Sequence, residues 1–513
     1  MTINVESNVA ANEPQAAGGD RTGFAARALT PRRYADVGSS GSARVLGPAS
    51  LTALGLGGLI GAGIFVTVGM AAHDLAGPAV VLSLLVAAAA CIAVALCYCE
   101  CASAVPVAGS AYAYAYAAVG ELGAWLSGWN LATCYFLAIA AVAQGWSGYL
   151  QNLLGGLGIA WPKALGGAPF DLDPHTGAFA ATGSALDLPA LLVLAAITFI
   201  AYRGIRTSLR VNYGILALKL VVLTIVVVIG FCHMHVANWT PFAPFGYGGL
   251  NLGALGSAFG IHAAAASTGM LAGATTVFFA FGGFEMLSAY SHECRSPRRD
   301  IPLGVVSTVG LLTLLYVAVA AAVIGMVPYD HISVRAPISD AFRSAGMPWA
   351  QLLVAVGAVA GLTSVLLVAV MSLPRVLMAI ARDGLLPARF FNAIHPAYHT
   401  PSRGVLLVGM VAMAMSSLLP LRLVMSLVMM ATLAGYVAVC AFVLVLRRRP
   451  ETHDPVFRAP LGPVIPVAGI AICFLLILSL PPSEWLQLAC WWAVGLAAYG
   501  VAHRRKYRQH HLQ

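Results

Sequence analysis

A chain of 513 residues that is 60% hydrophobic and only 9% charged, with a mean hydropathy of +0.85, lies outside the range of soluble domains and reads as an integral membrane protein. Its net charge of +9 sits in loops between apolar runs, so it reports membrane topology rather than a nucleic-acid partner. No catalytic motif and no metal-spaced cluster appears, which argues against an enzyme.

Residues 1–45 are polar, rich in Gly and Ala and lack an apolar core, so they are expected to form a disordered cytoplasmic tail rather than a signal peptide. Apolar runs follow near 48–71, 78–102, 122–150, 186–202, 211–232, 270–291, 303–327, 349–374, 404–420, 423–446, 463–480 and 485–502, about twelve spans. With the first span starting inside, 23 of the 28 Lys and Arg fall in the tails and cytoplasmic loops, against Lys163, Arg335, Arg343 and Arg422 outside. That asymmetry predicts cytoplasmic N- and C-termini, with residues 503–513 as a basic, lipid-facing C-tail. The run Cys97, Cys99, Cys101 alternates around a helix instead of converging on a metal and is read as packing. AYAYAYA at 111–117 alternates like a strand, yet it lies between the second and third spans.

The first span holds GLGGLIGAGIFVTVG, residues 55–69, with six glycines. The spacing does not fit a dinucleotide fingerprint, and no strand precedes it. Glycine here serves either close helix packing or an interruption of the helix around a ligand. FFAFGGFE, residues 278–285, places a second Gly-containing break in the sixth span, five spans later. Corresponding interruptions in two halves point to an inverted-repeat transporter, because unwound backbone at bilayer depth is tolerated only where it lines a cavity. Amides at Ile60, Gly61, Ala62 and Gly63 then face an anion such as a carboxylate, and carbonyls at Phe279, Ala280 and Gly282 face an ammonium. Together they read the two ends of an α-amino acid.

GLIGAGIFV, AGPAVVLS, PVAGSAYAYAY, GELGAW, GWSGYL, RVNYGILALK, FFAFGGFE, SPRRDIPLG and PRVLMAIARDGLLP occur in this order. Through them, over about residues 48–460, the chain resembles the amino acid-polyamine-organocation superfamily, and within it the cationic amino acid transporter branch. The resemblance implies an all-α membrane fold, with ten core helices in two inverted five-helix repeats, the first and sixth helices broken, and two further helices. The repeats fall at 46–232 and 233–450, the added helices at 451–502. It also implies amino acid uptake by alternating access, and helical character for AYAYAYA. No cofactor is implied other than a coupling ion, and the partners are an amino acid and the lipid bilayer, with no obligatory protein partner evident.

Lys219 lies nine residues beyond Arg210, roughly 14 Å into the bilayer at helical rise and beyond easy snorkelling. Desolvation disfavours an ammonium, so this group suits a proton taken up and released in each transport cycle. The resemblance points the same way, since proton-coupled members carry a lysine here, close to the first break, where sodium-coupled relatives hold an ion. A permanently charged structural lysine is the alternative role. Thr363 and Ser364 are the hydroxyls that a sodium site would use.

Glu285 follows the second break and either pairs with a gate, senses the substrate side chain or satisfies loose amides there. Phe279, Phe281 and Phe284 are candidate gating aromatics, with packing as the plainer role. His292 and Glu293 stand where the family commonly has two acids, a departure at the inner gate. Asn130 and Cys134 stand where the branch often has acids, so neutral amino acids are as plausible a cargo as arginine or lysine. An amino acid or amine exchanger, a sodium symporter and a non-transporting sensor remain competing functions on the same scaffold.

Overall fold

The computed structural model describes residues 47–105, 110–172, 178–204, 209–250, 268–288, 294–398, 400–448 and 457–510. The N-terminal tail, His292 and Glu293 lie outside the described residues. The described chain is helical apart from one short hairpin. Its main helices are α1 (Pro48–Leu59), α2 (Val80–Ala104), α3 (Ala111–Val119), α4 (Glu121–Gly156), α5 (Leu188–Tyr202), α6 (Leu209–Cys232), α7 (Met270–Val277), α8 (Pro297–Met326), α9 (Pro337–Ser344), α10 (Pro348–Arg382), α11 (Ser402–Leu418), α12 (Leu421–Arg447), α13 (Val464–Ile477) and α14 (Pro482–His510). Seven helical stretches are long and apolar enough to cross a membrane, and five shorter apolar helices accompany them. The all-α expectation needs one amendment. Strands β1 (Phe170–Leu172) and β2 (Phe179–Ala181) pair antiparallel, with Phe170 opposite Ala181 and Leu172 opposite Phe179.

Two local rules override sequence alternation. AYAYAYA folds as α3, because alanine is the strongest helix former and Gly120, at φ +90°, supplies a sharp joint into α4 that a residue with a Cβ rarely adopts. Helix α5 starts where Asp187 accepts from the Ala190 amide at 3.1 Å and Pro189 fills the first turn.

The helices meet through small residues. A Cβ on Gly357 of α10 would lie 2.7 Å from Val222 of α6, and one on Gly145 of α4 would lie 2.6 Å from Val66. In lipid, where apolar burial does not drive helices together, such close approach is the main source of helix association. The outward faces carry Leu, Val, Phe and Trp side chains, including Leu314 and Leu486.

Charges gather at the two ends. At the end bearing the hairpin, Arg422 at the start of α12 holds Asp74 (Nε to Oδ2, 2.8 Å) and Asp171 of β1 (Nη1 to Oδ2, 2.8 Å), and His73 Nδ1 lies 2.6 Å from Asp74 Oδ1. At the opposite end, Arg447 donates to both oxygens of buried Glu100 at 2.7 and 2.6 Å, and the Ala459 amide donates to the same carboxylate at 2.8 Å. Replacing Arg447 with Met leaves Glu100 buried without its counter-charge, a loss of about 3 kcal/mol. Melting followed by tryptophan fluorescence in detergent is expected to show a clear drop in transition temperature for Arg447→Met. An unchanged transition would mean that the pair contributes nothing.

Candidate functional site

Helix α1 stops because its chain turns out at Ile60, which adopts φ −68°, ψ 99° while its amide still donates to Leu56 O at 3.1 Å. Helical structure resumes as a π-helical turn, Gly63–Thr67, whose Thr67 hydroxyl donates back to Gly63 O. The amides of Gly61, Ala62 and Gly63 stand at the start of this restart, where a helix has no carbonyls of its own to offer them. The second break begins where α7 gives way to a 3₁₀ turn, Phe278–Phe281. Gly282 is extended, and Gly283 at φ +106° takes the left-handed geometry that lets the chain turn into Glu285–Ser288. The two breaks touch: a Cβ on Gly63 would collide with the backbone of Ala280.

Three carbonyls at the end of α1, those of Gly57, Leu59 and Ile60, are met by side chains from elsewhere. Lys219 on α6 is fully buried, and its Nζ donates to Ile60 O at 2.8 Å, Gly57 O at 3.2 Å and Ser364 Oγ at 3.5 Å. It forms no ion pair among the described residues, so a lone ammonium sits in a nest of neutral oxygens. Tyr316 of α8 donates to Leu59 O at 3.1 Å, and Tyr149 of α4 donates to Phe65 O at 2.7 Å.

The other expected residues separate into two groups. Ile60, Gly61, Ala62, Gly63 and Ala280 are buried where the breaks meet, and Gly61 lies against Val365 of α10. Phe279 is half-buried beside them, but its carbonyl already accepts the Gly282 amide at 3.1 Å, so that oxygen is less free than an unwound strand would leave it. Phe281 packs on Tyr316 with centroids 5.6 Å apart. Phe284 turns the other way, onto Tyr98 and Tyr436 at 5.7 and 5.3 Å.

Glu285 Oε2 accepts from the Gly283 amide at 3.0 Å and from Tyr436 at 3.2 Å, which ties it to the loose amide at the half-helix start. Thr363 donates to Val359 O at 2.7 Å within its own helix and accepts from Trp146 at 2.9 Å, while Ser364 faces Lys219. Asn130 and Cys134 make their hydrogen bonds to α12 and α14. Asn130 Nδ2 donates to Ala431 O of α12 at 2.8 Å, its Oδ1 accepts from Trp492 of α14 at 3.4 Å, and Cys134 accepts from Thr432 of α12 at 3.7 Å.

Tyr316, Tyr149, Trp146 and Tyr436 were invisible to sequence reasoning. A single hydroxyl in an apolar helix carries no signal of the carbonyl it reaches, which here lies 257 positions away for Tyr316 and 84 for Tyr149.

An apolar helical bundle with two interrupted helices packed break against break, one of them capped by a buried lysine, defines a membrane transport protein. The chain belongs to the amino acid permease family, whose profile matches residues 46–486. It is 37% identical to the methylthioribose transporter of Bacillus subtilis over 467 residues, covering 91% of this chain and 95% of that one. It is also 37% identical to the branched-chain amino acid permease BcaP of Bacillus subtilis, over 90% of this chain and 93% of that one. Cationic amino acid transporter 4 of Mus musculus is 35% identical over 82% of this chain and 62% of its own length.

Two substitutions separate the groups. Gly63→Leu forces the breaks apart and is expected to abolish binding of labelled amino acid by protein that still elutes as a single species in detergent; normal binding would remove the breaks from the site. Asn130→Asp puts a carboxylate where a donor to Ala431 O is required. It is expected to lower the melting temperature, at a cost of about 1–3 kcal/mol for the broken buried contact, without conferring arginine uptake in a radiolabel assay.

Proposed function

We propose that the protein is a secondary active transporter that takes up α-amino acids by alternating access, driven by protons, with Lys219 as the coupling group. The observation that carries this reading is the position of the Lys219 ammonium against Gly57 O, Ile60 O and Ser364 Oγ. When protonated, Lys219 supplies three donors that hold the end of α1 to α6 and α10; when deprotonated, it leaves those oxygens without a cation and loosens the break. The same oxygens would suit a sodium ion, but the lysine side chain fills the place, which favours protons over sodium.

The substrate lies between the amides of Gly61–Gly63 and the carbonyls around Ala280, its carboxylate at the positive start of the restarting helix. No acid among the described break residues faces that space except Glu285, which is engaged by Gly283 and Tyr436. A neutral side chain fits this better than a cationic one, in keeping with the branched-chain permease among the relatives. In this reading the chain crosses a bacterial inner membrane about twelve times, as two inverted repeats of five helices plus two. The hairpin end, with Arg335, Arg343 and Arg422, faces outward and both termini face the cytoplasm.

The test is uptake of labelled alanine, leucine, arginine and lysine into proteoliposomes under an inward proton gradient and, separately, a sodium gradient. Proton-driven uptake of a neutral amino acid is expected, and Lys219→Ala is expected to lose the response to the gradient. Uptake driven only by sodium, or only by amino acid preloaded inside, would overturn proton coupling. Full gradient-driven uptake by Lys219→Ala would remove the lysine from the mechanism.

A further inference from the structure

At the end opposite the hairpin, the close of α5 meets the loop that joins α10 to α11. Thr400 donates to Tyr202 O at 2.8 Å, and the Tyr202 ring meets those of His395 and Tyr398 at 5.7 and 5.9 Å. His395 and Tyr398 stack with centroids 4.7 Å apart. The amides of Ala397 and Tyr398 donate to His395 Nδ1 at 3.2 and 3.4 Å, so the neutral ring carries its hydrogen on Nε2. That donor finds no acceptor among the described residues.

Three arginines border this corner. Arg203 follows Tyr202 and folds back over Phe199, its Cζ 4.7 Å from the ring centroid. Arg389 lies on the short helix Ala388–Phe391, and Arg403, in the first turn of α11, donates from Nη1 to Arg389 O at 2.9 Å. All three are exposed, and none forms an ion pair among the described residues. Arg422 and Arg447, by contrast, each hold a carboxylate. The sequence accounts for the difference: it has no Asp or Glu from 188 to 284 or from 384 to 450, so neither arm of the corner can supply an acid. Asp383, just before the second arm, accepts from Tyr112 at 2.7 Å.

Each arginine on the two packed helices heads an apolar stripe. Leu192 and Phe199 are exposed on α5 below Arg203, and Leu406 and Met410 on α11 below Arg403, at the three- and four-residue spacing that keeps them on one face. Uncompensated cations above paired apolar stripes complement an amphiphile with a negative head and hydrocarbon tails. We propose that this corner is a binding site for an anionic glycerophospholipid of the surrounding leaflet, its phosphate accepting from the three arginines and His395 Nε2 and its acyl chains lying along α5 and α11. A zwitterionic lipid fits less well, because the corner offers no carboxylate to its ammonium. The inference needs only a chain set in a bilayer and is independent of the cargo and of the coupling ion.

The experiment is native mass spectrometry of the delipidated full-length protein, titrated with phosphatidylglycerol and, separately, with phosphatidylcholine of the same acyl chains. Tighter retention of phosphatidylglycerol is expected, weakened about five-fold by each of Arg203→Gln, Arg389→Gln and Arg403→Gln. Arg382→Gln removes the same charge from an exposed place at the end of α10 and is expected to leave the affinity within about two-fold. The four substituted side chains are exposed, so the fold is expected to tolerate every variant. Equal retention of the two lipids would overturn the proposal. So would an equal loss in Arg382→Gln, which would reduce the effect to general charge attraction. Displacement of the lipid by an equal concentration of glycerol 3-phosphate would overturn it in favour of a site for a free phosphate.

Discussion

A helix that breaks inside a bilayer exposes carbonyls and amides that hydrocarbon cannot satisfy, and the rest of this structure is organised around that constraint. The end of α1 leaves Gly57, Leu59 and Ile60 with oxygens to place, and two different helices answer: α6 with Lys219 and α8 with Tyr316, while Ser364 of α10 accepts from the same lysine. The restarting turn is served by Tyr149 from α4. Because these donors come from helices far apart in the chain, the break is held only when the whole bundle is assembled. A site held this way can change shape when one donor changes state, without any helix unfolding.

The second break is handled differently. It tightens into a 3₁₀ turn, and its loose amide at Gly283 is taken by Glu285, two residues on, with Tyr436 behind. One break is thus stabilised by the surroundings and the other largely by itself. The ties of the first break run to neighbouring helices and include a buried lysine, those of the second to its own Glu285 and to Tyr436. Glycine at 63 permits the contact between the two, since any side chain there would wedge against Ala280.

Much of this was legible before any coordinates. The glycines of GLIGAGIFV and FFAFGGFE mark both interruptions, because the two Gly-containing runs recur at corresponding places five spans apart. Lys219 stands out because an isolated cation in a span is too costly to be incidental. Local patterns also mislead: AYAYAYA alternates like a strand but obeys alanine's helix propensity, and the short hairpin at 170–181 has too few residues to register in an outer loop. That Asn130 and Cys134 make hydrogen bonds to α12 and α14 could not be read from their place in the third helix. Which way a residue faces on a nearly all-apolar helix cannot be read from periodicity when every face is hydrophobic. Pairings such as Asp74 with Arg422, 348 positions apart, leave no mark on a single sequence.

Arg422 binds two carboxylates at once, one on the restarting half of the first span and one on β1. The hairpin is therefore latched to a helix segment with which it shares no covalent proximity, and parting that end means stripping a guanidinium of both partners in a single movement. Such a step is sensitive to the ionic strength of the medium bathing it. The buried contacts at the two ends are alike, Asp74 and Glu100 each being 4% exposed, and the difference lies in Asp171, which is 46% exposed. Salt in the medium at the hairpin end would therefore screen the contact to Asp171 first and leave the two buried pairs, Arg422 with Asp74 and Arg447 with Glu100, largely intact.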